Sequence, residues 1–154
     1  PLGGAADAEG DTSVATLAEL LQGLAEGWRR SASGALRVAL EIDAEPARRL
    51  PNDLALALYR ISQEALTNVA RHAQAGEAAV TLRWPRGRDA IDWSVSDDGV
   101  GLADASAALR RGNGLAGIKE RVWAFGGDLQ LKAARPGHER PGLVLAATLR
   151  AAAS

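Results

Sequence analysis

The sequence predicts an α+β fold in which a layer of helices covers one sheet, a two-layer sandwich. Two long segments repeat apolar residues every three or four positions, the period of amphipathic helices, while five shorter segments have the composition of strands. The helices are grouped at two points among strands that follow one another directly. A doubly wound fold needs regular strand–helix alternation, which this order does not provide.

Size and composition are those of one ordinary globular domain. The chain has 154 residues, a net charge of -1 and no cysteine. The charge gives no reason to expect nucleic acid or an anionic membrane as a partner. Without cysteine the chain has no disulfide, thiolate zinc site or thiol nucleophile. No apolar run approaches the roughly 20 residues of a membrane helix, so we expect no membrane contact by this segment.

The first elements are a helix and a strand. Residues 1–11 lack periodicity and are predicted to be a disordered tail or a cloning remnant. A helix is predicted from Thr12, a possible cap, to about Arg30. Its apolar positions are Val14, Leu17, Leu20, Leu21 and Leu24. Residues 36–42 then alternate apolar and mostly polar side chains, the period of a half-buried strand.

A second helix is predicted to begin at residues 51–53, with Asn52 or Asp53 as its cap and an acid in the first turn. Its buried stripe is predicted to be Leu54, Leu58, Ile61, Ala65 and Val69. Beyond it, residues 78–84 and 90–96 are predicted strands joined by a turn at 85–88. A third helix is predicted over 115–125, followed by strands at 128–133 and 143–149.

The second helix also has a polar face, offset by about 60° from its apolar stripe. The residues on it are Glu64, Asn68, Arg71 and His72. Mg²⁺ prefers oxygen ligands, and Asn68 can supply one. Glu64 could orient a metal-bound water or accept a proton, Arg71 suits phosphate, and His72 could donate to phosphate or only pack. The alternative is a solvated helix face without chemistry.

The first of two glycine-rich turns follows a strand. Asp97 ends that strand, and Gly99 and Gly101 after it permit a ligand to approach the backbone closely. A carboxylate held at this point is suited to accept a hydrogen bond from an exocyclic amine such as that of adenine. The alternative is a plain turn, because Asp-Gly pairs are common in turns.

The second glycine-rich turn precedes a helix. Gly112 and Gly114 stand directly before Leu115, the predicted start of the third helix. The free N–H groups of a helix N-terminus suit a polyphosphate. The turn is not a P-loop, since the Lys-Ser/Thr pair of that motif is missing.

Three ordered segments resemble the catalytic, ATP-binding domain of sensor histidine kinases, in the superfamily of gyrase, heat-shock chaperone, histidine kinase and mismatch-repair ATPases. Residues 58–73 (LYRISQEALTNVARHA) resemble the N box. Residues 95–102 (VSDDGVGL) resemble the first glycine box and residues 112–122 (GNGLAGIKERV) the second. The residues of these three boxes are similar to those of the nitrate-sensing and desaturase-regulating kinases.

The resemblance implies a Bergerat-type sandwich with a mixed, mainly antiparallel sheet, binding ATP under a lid at 102–111. It assigns Mg²⁺ to Asn68 and a neighbouring polar or base-like role to Glu64. It implies that Arg71 binds phosphate and that Asp97 binds the adenine amine. Gly99 and Gly101 would shape the pocket, and Gly112 and Gly114 would serve the lid and the phosphates. His72 and Leu115 would also contact the nucleotide.

The expected function is phosphoryl transfer from Mg-ATP to a histidine on a dimerisation domain absent from this chain. Residues 35–150 are the expected catalytic domain, and residues 12–34 a helix, a linker or a remnant of the dimerisation region. We expect a response regulator as a further partner and a cytoplasmic site, and anchoring of the parent protein in the inner membrane is compatible with this expectation. The alternative is an anti-sigma-type serine kinase or a non-catalytic partner-binding module.

Two departures from the family pattern stand out. His72 and His138 are the two histidines of the chain, and neither is placed to be the phosphate acceptor. Family members often open the last strand with Gly-Thr, where this chain has Gly142 and Leu143. The second departure bears on the adenine half of the site.

Overall fold

Five strands form one mixed sheet in the computed structural model, which describes residues 10–30, 36–101 and 115–151. The strands in these described ranges are β1 (Asp11–Ser13), β2 (Arg37–Asp43), β3 (Arg49–Pro51), β4 (Glu77–Arg83), β5 (Ala90–Asp97), β6 (Gln130–Lys132) and β7 (Leu143–Arg150). The sheet order is β2-β4-β5-β7-β6, and only the β2–β4 pair among these is parallel. The predicted mixed, mainly antiparallel sheet is confirmed.

In the described part of the chain, three α-helices form the second layer. They are α1 (Val14–Arg30), α2 (Asn52–Asn68) and α3 (Leu115–Ala124), and a π-helical turn at Val69–Ala73 extends α2. Helix α2 contacts both other helices as well as β5, so it lies at the centre of this layer. Among the described residues no helix has the length and apolarity to cross a membrane.

The core lies between the helices and one face of the sheet. Side chains at alternate positions of β4, β5 and β7 are buried, and the register aligns Val80 with Val95 and Val95 with Leu145. All five residues of the predicted α2 stripe are buried as well. Burying one Leu or Ile side chain contributes about 1.5–3 kcal/mol, so this stripe is enough to hold α2 on the sheet.

A buried hydrogen bond fixes the position of α2 on β5. The indole Nε1 of Trp93 donates to Ser62 Oγ at 3.0 Å, and that hydroxyl donates to Leu58 O at 2.7 Å. Ser62 and Trp93 are both buried. An unpaired buried N–H or O–H would cost about 1–3 kcal/mol, so both groups favour one placement of the helix.

The residues that cap the starts of α1 and α2 differ from the predicted ones. Ser13 rather than Thr12 caps α1, since Ser13 Oγ accepts from the Thr16 N–H at 3.1 Å. The Thr12 hydroxyl donates instead to Asn52 Oδ1. The predicted side-chain cap of α2 is wrong too: its N-cap is Pro51, with no side-chain cap bond.

The physical reason is a short ribbon that periodicity did not predict. Strand β1 pairs antiparallel with β3, which places Thr12 beside Leu50 and brings the starts of α1 and α2 together. The Asn52 N–H donates to Gly10 O at 3.0 Å, so the ribbon rather than a side chain satisfies it. The other predicted helices and strands are present, with ends displaced by at most a few residues.

Candidate functional site

The polar face of α2 lies against α3. Glu64 Oε1 accepts from Arg121 Nη1 of α3 at 2.6 Å. A Cβ placed on Gly117 would lie 3.0 Å from Glu64 Oε2, so the absence of a side chain there lets α3 approach the carboxylate. Sequence reasoning missed Arg121 and Gly117, because 57 residues separate Arg121 from its partner.

Two buried polar atoms on this face have no hydrogen-bond partner among the described residues. They are Glu64 Oε2 and Asn68 Nδ2, one helical turn apart. Buried polar atoms are rarely left unpaired, because each one costs about 1–3 kcal/mol. Such a pair of orphaned atoms is what a ligand-binding face would show before its ligand binds.

The other two residues of the predicted polar face, Arg71 and His72, lie in the π-helical turn that follows α2. Arg71 is exposed there and accessible to an anionic group. The turn ends at Gln74, which has a positive φ of 53°. π-helical turns are rare and frequently occur at functional sites. The side chain of His72 lies outside what the structure describes, so its predicted role stays a prediction.

Asp97 ends β5 as a buried carboxylate. Its side chain points to the core side of the sheet, in the row that contains Val95 and Trp93, and it is 7% exposed. Its Oδ1 accepts from the Gly99 N–H at 2.8 Å. Burial raises the pKa of Asp97, and the backbone hydrogen bonds from Gly99 and Leu143 only partly offset this effect.

The loop after Asp97 packs tightly on the turn before β7. The Gly142 N–H donates to Gly99 O at 2.9 Å, and a Cβ on Gly142 would lie 2.1 Å from Asp97 O. Gly142 has a φ of +66° and Gly101 a φ of +77°. Only Leu143 departs from the Gly-Thr pattern. The glycine on which this close approach depends is retained as Gly142.

The neighbouring carboxylate, Asp98, has a structural role. Its Oδ1 accepts from the N–H groups of Gly76 at 2.9 Å and Glu77 at 3.0 Å, which ties the loop to the start of β4. Burial raises the pKa of Asp98, but the backbone hydrogen bonds from Glu77 and Gly76 outweigh it, and the net shift is downward.

The structure describes less of the second glycine-rich turn than of the loop after Asp97. Gly112, Gly114 and the predicted lid at 102–111 lie outside the described residues. Leu115 begins α3 and its side chain is buried in the core. The nucleotide contacts predicted for these positions stay predictions.

The fold and these motifs together define a nucleotide-binding sandwich, and comparison with known proteins agrees. Residues 53–152 match the family model described as histidine kinase-, DNA gyrase B-, and HSP90-like ATPase. The chain belongs to this ATPase family, as a catalytic ATP-binding domain of the sensor histidine kinases. The resemblance inferred from the three boxes is confirmed.

Individual relatives are sensor kinases. The chain is 35% identical over 101 residues to the sensor histidine kinase YxjM of Bacillus subtilis, covering 66% of this chain and 23% of YxjM. It is 29% identical over 87 residues to the nitrate/nitrite sensor protein NarX of Escherichia coli K12, covering 56% of this chain and 14% of NarX. The chain thus spans less than a quarter of the length of either relative.

A solved structure agrees with the fold. The mycobacterial sensor histidine kinase MprB superposes with a TM-score of 0.68 over 91% of this chain and 95% of that chain, at 21% sequence identity. Similarity at this level supports the architecture of sheet and helices.

We predict that Gly142→Ala destabilises the domain by more than about 3 kcal/mol, because its Cβ would collide with a backbone oxygen and its φ is positive. Gly137→Ala is the matched control. Gly137 also has a positive φ, of +83°, but nothing lies within 4 Å of its Cβ position, so it should cost only about 1–2 kcal/mol. Urea unfolding measures both losses, and equal losses would contradict the close approach.

We further predict opposite pH dependences for Asp97→Asn and Asp98→Asn. With its raised pKa, Asp97 stabilises the fold most below its unfolded pKa of about 3.9, and this contribution is lost as the pH rises through the folded pKa. The Asn variant should therefore gain stability relative to the unmodified chain between about pH 4 and pH 7.

Asp98 provides the opposite case. With its lowered pKa it stabilises the fold above its unfolded pKa of about 3.9, and the contribution is lost as the pH falls through the folded pKa. Asp98→Asn should be the less stable chain at pH 7, and the gap should close in acid. Urea midpoints measured from pH 3 to 7 test both, and parallel curves for the two variants would refute the assignment.

Proposed function

We propose that this domain binds Mg-ATP and, in the intact protein, passes the γ-phosphoryl group to a histidine on a dimerisation domain. The observation that carries the proposal is the polar face of α2, where Glu64 Oε2, an acceptor, and Asn68 Nδ2, a hydrogen-bond donor, are buried without a partner among the described residues. Family membership implies ATP, and the donor set on α2 fits its metal ion.

The proposed division of labour follows the chemistry of each side chain. Asn68 would hold Mg²⁺ through its amide oxygen, and Arg71, exposed one turn later, would bind phosphate. When bound, the metal ion would neutralise charge on the β- and γ-phosphates. Asp97 would accept a hydrogen bond from the adenine amine, with Gly99 and Gly101 shaping the loop around it.

The hydrogen bond between Trp93 and Ser62 links the two halves of this proposed site. It ties α2, which carries Glu64 and Asn68, to β5, which ends at Asp97. Phosphoryl transfer needs positioning and charge stabilisation more than covalent chemistry by the protein. A rigid connection between the adenine and phosphate contacts supplies the first of these needs.

We also propose that α1 belongs to the ATP-binding unit. In support, Leu17, Leu21 and Ala25 of α1 are buried in the same core as α2 and the sheet. The expected bounds of 35–150 for the catalytic domain would then extend to the start of α1. A response regulator as phosphate recipient, a cytoplasmic site and membrane anchoring of the parent rest on the sensor-kinase relatives.

Asn68→Ala is expected to weaken Mg-dependent ATP binding at least about tenfold, because it removes the proposed metal ligand. Calorimetric titration of the chain with ATP, in Mg²⁺ and in EDTA, measures the effect, and the two proteins should differ only in Mg²⁺. Arg60→Ala is the control, since Arg60 is an exposed α2 residue hydrogen-bonded to Gln63. The proposal would be contradicted if the unmodified chain released or absorbed no heat on titration with Mg-ATP and if ATP did not compete with a fluorescent ATP analogue.

Phosphorylation should distinguish the histidine kinase from the alternative serine kinase. The chain is mixed with a separately produced, histidine-bearing helical hairpin from the parent kinase and with γ-labelled ATP. Acid-labile label on the hairpin is expected. Acid-stable label on Ser or Thr would favour the anti-sigma-type reading, and Mg-ATP binding without any transfer would favour a non-catalytic partner-binding module.

A further inference from the structure

The contact between α2 and α3 has features that go beyond helix packing. Arg121 Nη1 lies 2.6 Å from Glu64 Oε1, and the two side chains are 39% and 30% exposed. Ion pairs this accessible to water contribute little to the stability of a fold. The pair therefore needs another reason for joining these two helices at this point.

Gly117 lies one turn before Arg121 on the same face of α3. A Cβ at this position would lie 3.0 Å from Glu64 Oε2 and 3.4 Å from Arg121 Nη1. The carboxylate of Glu64 is thus held at one oxygen by a hydrogen bond, and its other oxygen occupies the space that a side chain at position 117 would restrict.

This confinement acts on the carboxylate that stands one turn from Asn68. Glu64 Oε2 is buried and has no partner among the described residues, as is true of Asn68 Nδ2. A glutamate has three side-chain torsions and would otherwise sample many positions. With Oε1 occupied by Arg121, Oε2 is the carboxylate oxygen that has no partner among the described residues.

We propose that Arg121 is a positioning residue that fixes the Glu64 carboxylate beside Asn68, and that Gly117 provides the space for it. The inference rests on the proposed function and deepens it, since it names two residues of α3 on which Mg-dependent nucleotide binding depends. Groups that orient the polar residues around a metal site commonly change metal affinity about 10–100-fold when removed.

The choice of arginine is part of the proposal. A guanidinium is planar and remains charged, so it holds a carboxylate in a defined orientation, whereas a lysine ammonium is a flexible point charge. Arg121→Lys would keep the attraction and lose the orientation. The Arg121→Lys variant should therefore retain only part of the Mg-dependent ATP affinity that the Arg121→Ala variant loses.

The test uses the complete 154-residue chain and three variants, Arg121→Ala, Arg121→Lys and Gly117→Ala. Calorimetry gives the ATP affinity in Mg²⁺ and in EDTA, and thermal unfolding without nucleotide reports the fold. Arg121→Ala should lose about tenfold in affinity in Mg²⁺ and little in EDTA, with Arg121→Lys between it and the unmodified chain.

Gly117→Ala separates positioning from stability. It keeps both charges and replaces glycine by a better helix former, so the apo domain should melt no lower than the unmodified chain. Its methyl group would nevertheless displace the flexible end of Glu64 and lower the Mg-dependent affinity. Lys119→Ala, which removes an exposed cation from the same helix, is the control and should bind normally.

Three results would overturn the inference. Binding by Arg121→Ala and Gly117→Ala equal to that of the unmodified chain would leave the pair as a surface contact. Equal loss in Mg²⁺ and EDTA, together with a lower melting temperature, would make its role structural. An unmodified chain that binds no Mg-ATP would overturn the proposed function, and this inference with it.

Discussion

The hydrogen bond between Trp93 and Ser62 is the constraint on which the site depends. Apolar packing alone would let α2 slide or rotate slightly on the sheet, because the hydrophobic effect has no direction. The buried Trp93 N–H needs an acceptor, and Ser62 provides it at one position along α2 and on one face of that helix. The hydrogen bond therefore fixes both the axial position and the rotation of the helix. Two residues further along α2 is Glu64, and four residues further along β5 is Asp97, so one buried contact sets the positions of both.

Around this constraint, the two faces of α2 have separate tasks. The apolar stripe is fully used in the core, which leaves the polar face without any share in holding the helix on the sheet. Glu64 and Asn68 can therefore have incompletely paired atoms while α2 stays folded. The cost of those atoms, about 1–3 kcal/mol each, is offset by the four larger apolar side chains of the stripe, which contribute about 1.5–3 kcal/mol each.

Local patterns predicted the elements, and long-range contacts account for what they missed. The 3.6-residue period of α2 depends only on neighbours in sequence, so its stripe and its polar face could both be read directly. The Thr12–Asn52 contact and the β1–β3 ribbon join segments about 40 residues apart, and no local rule places Thr12 in that ribbon rather than at the helix cap. The second glycine box contains Arg121, but no local pattern identifies Glu64, 57 residues away, as its partner.

The roles of the glycines show the same division. Gly99 and Gly101 were singled out because they follow a strand and an acid, which is a local signal. The requirement at Gly142 arises from Asp97 O approaching across the sheet from another strand, and the requirement at Gly117 from Glu64 on another helix. A glycine needed for close approach resembles any other glycine until its neighbour in space is known.

Asp97 and Asp98 show how one loop combines a proposed nucleotide contact with stability. Successive residues at the end of a strand face opposite sides, so Asp97 enters the core side while Asp98 turns back to the backbone of β4. Asp98 receives two N–H groups and stabilises the loop, and its pKa is lowered. Asp97 carries the opposite shift, because burial disfavours its charged form. The fold therefore holds a carboxylate where stability alone would not place one, and the adjacent Asp98 anchors the segment that carries it.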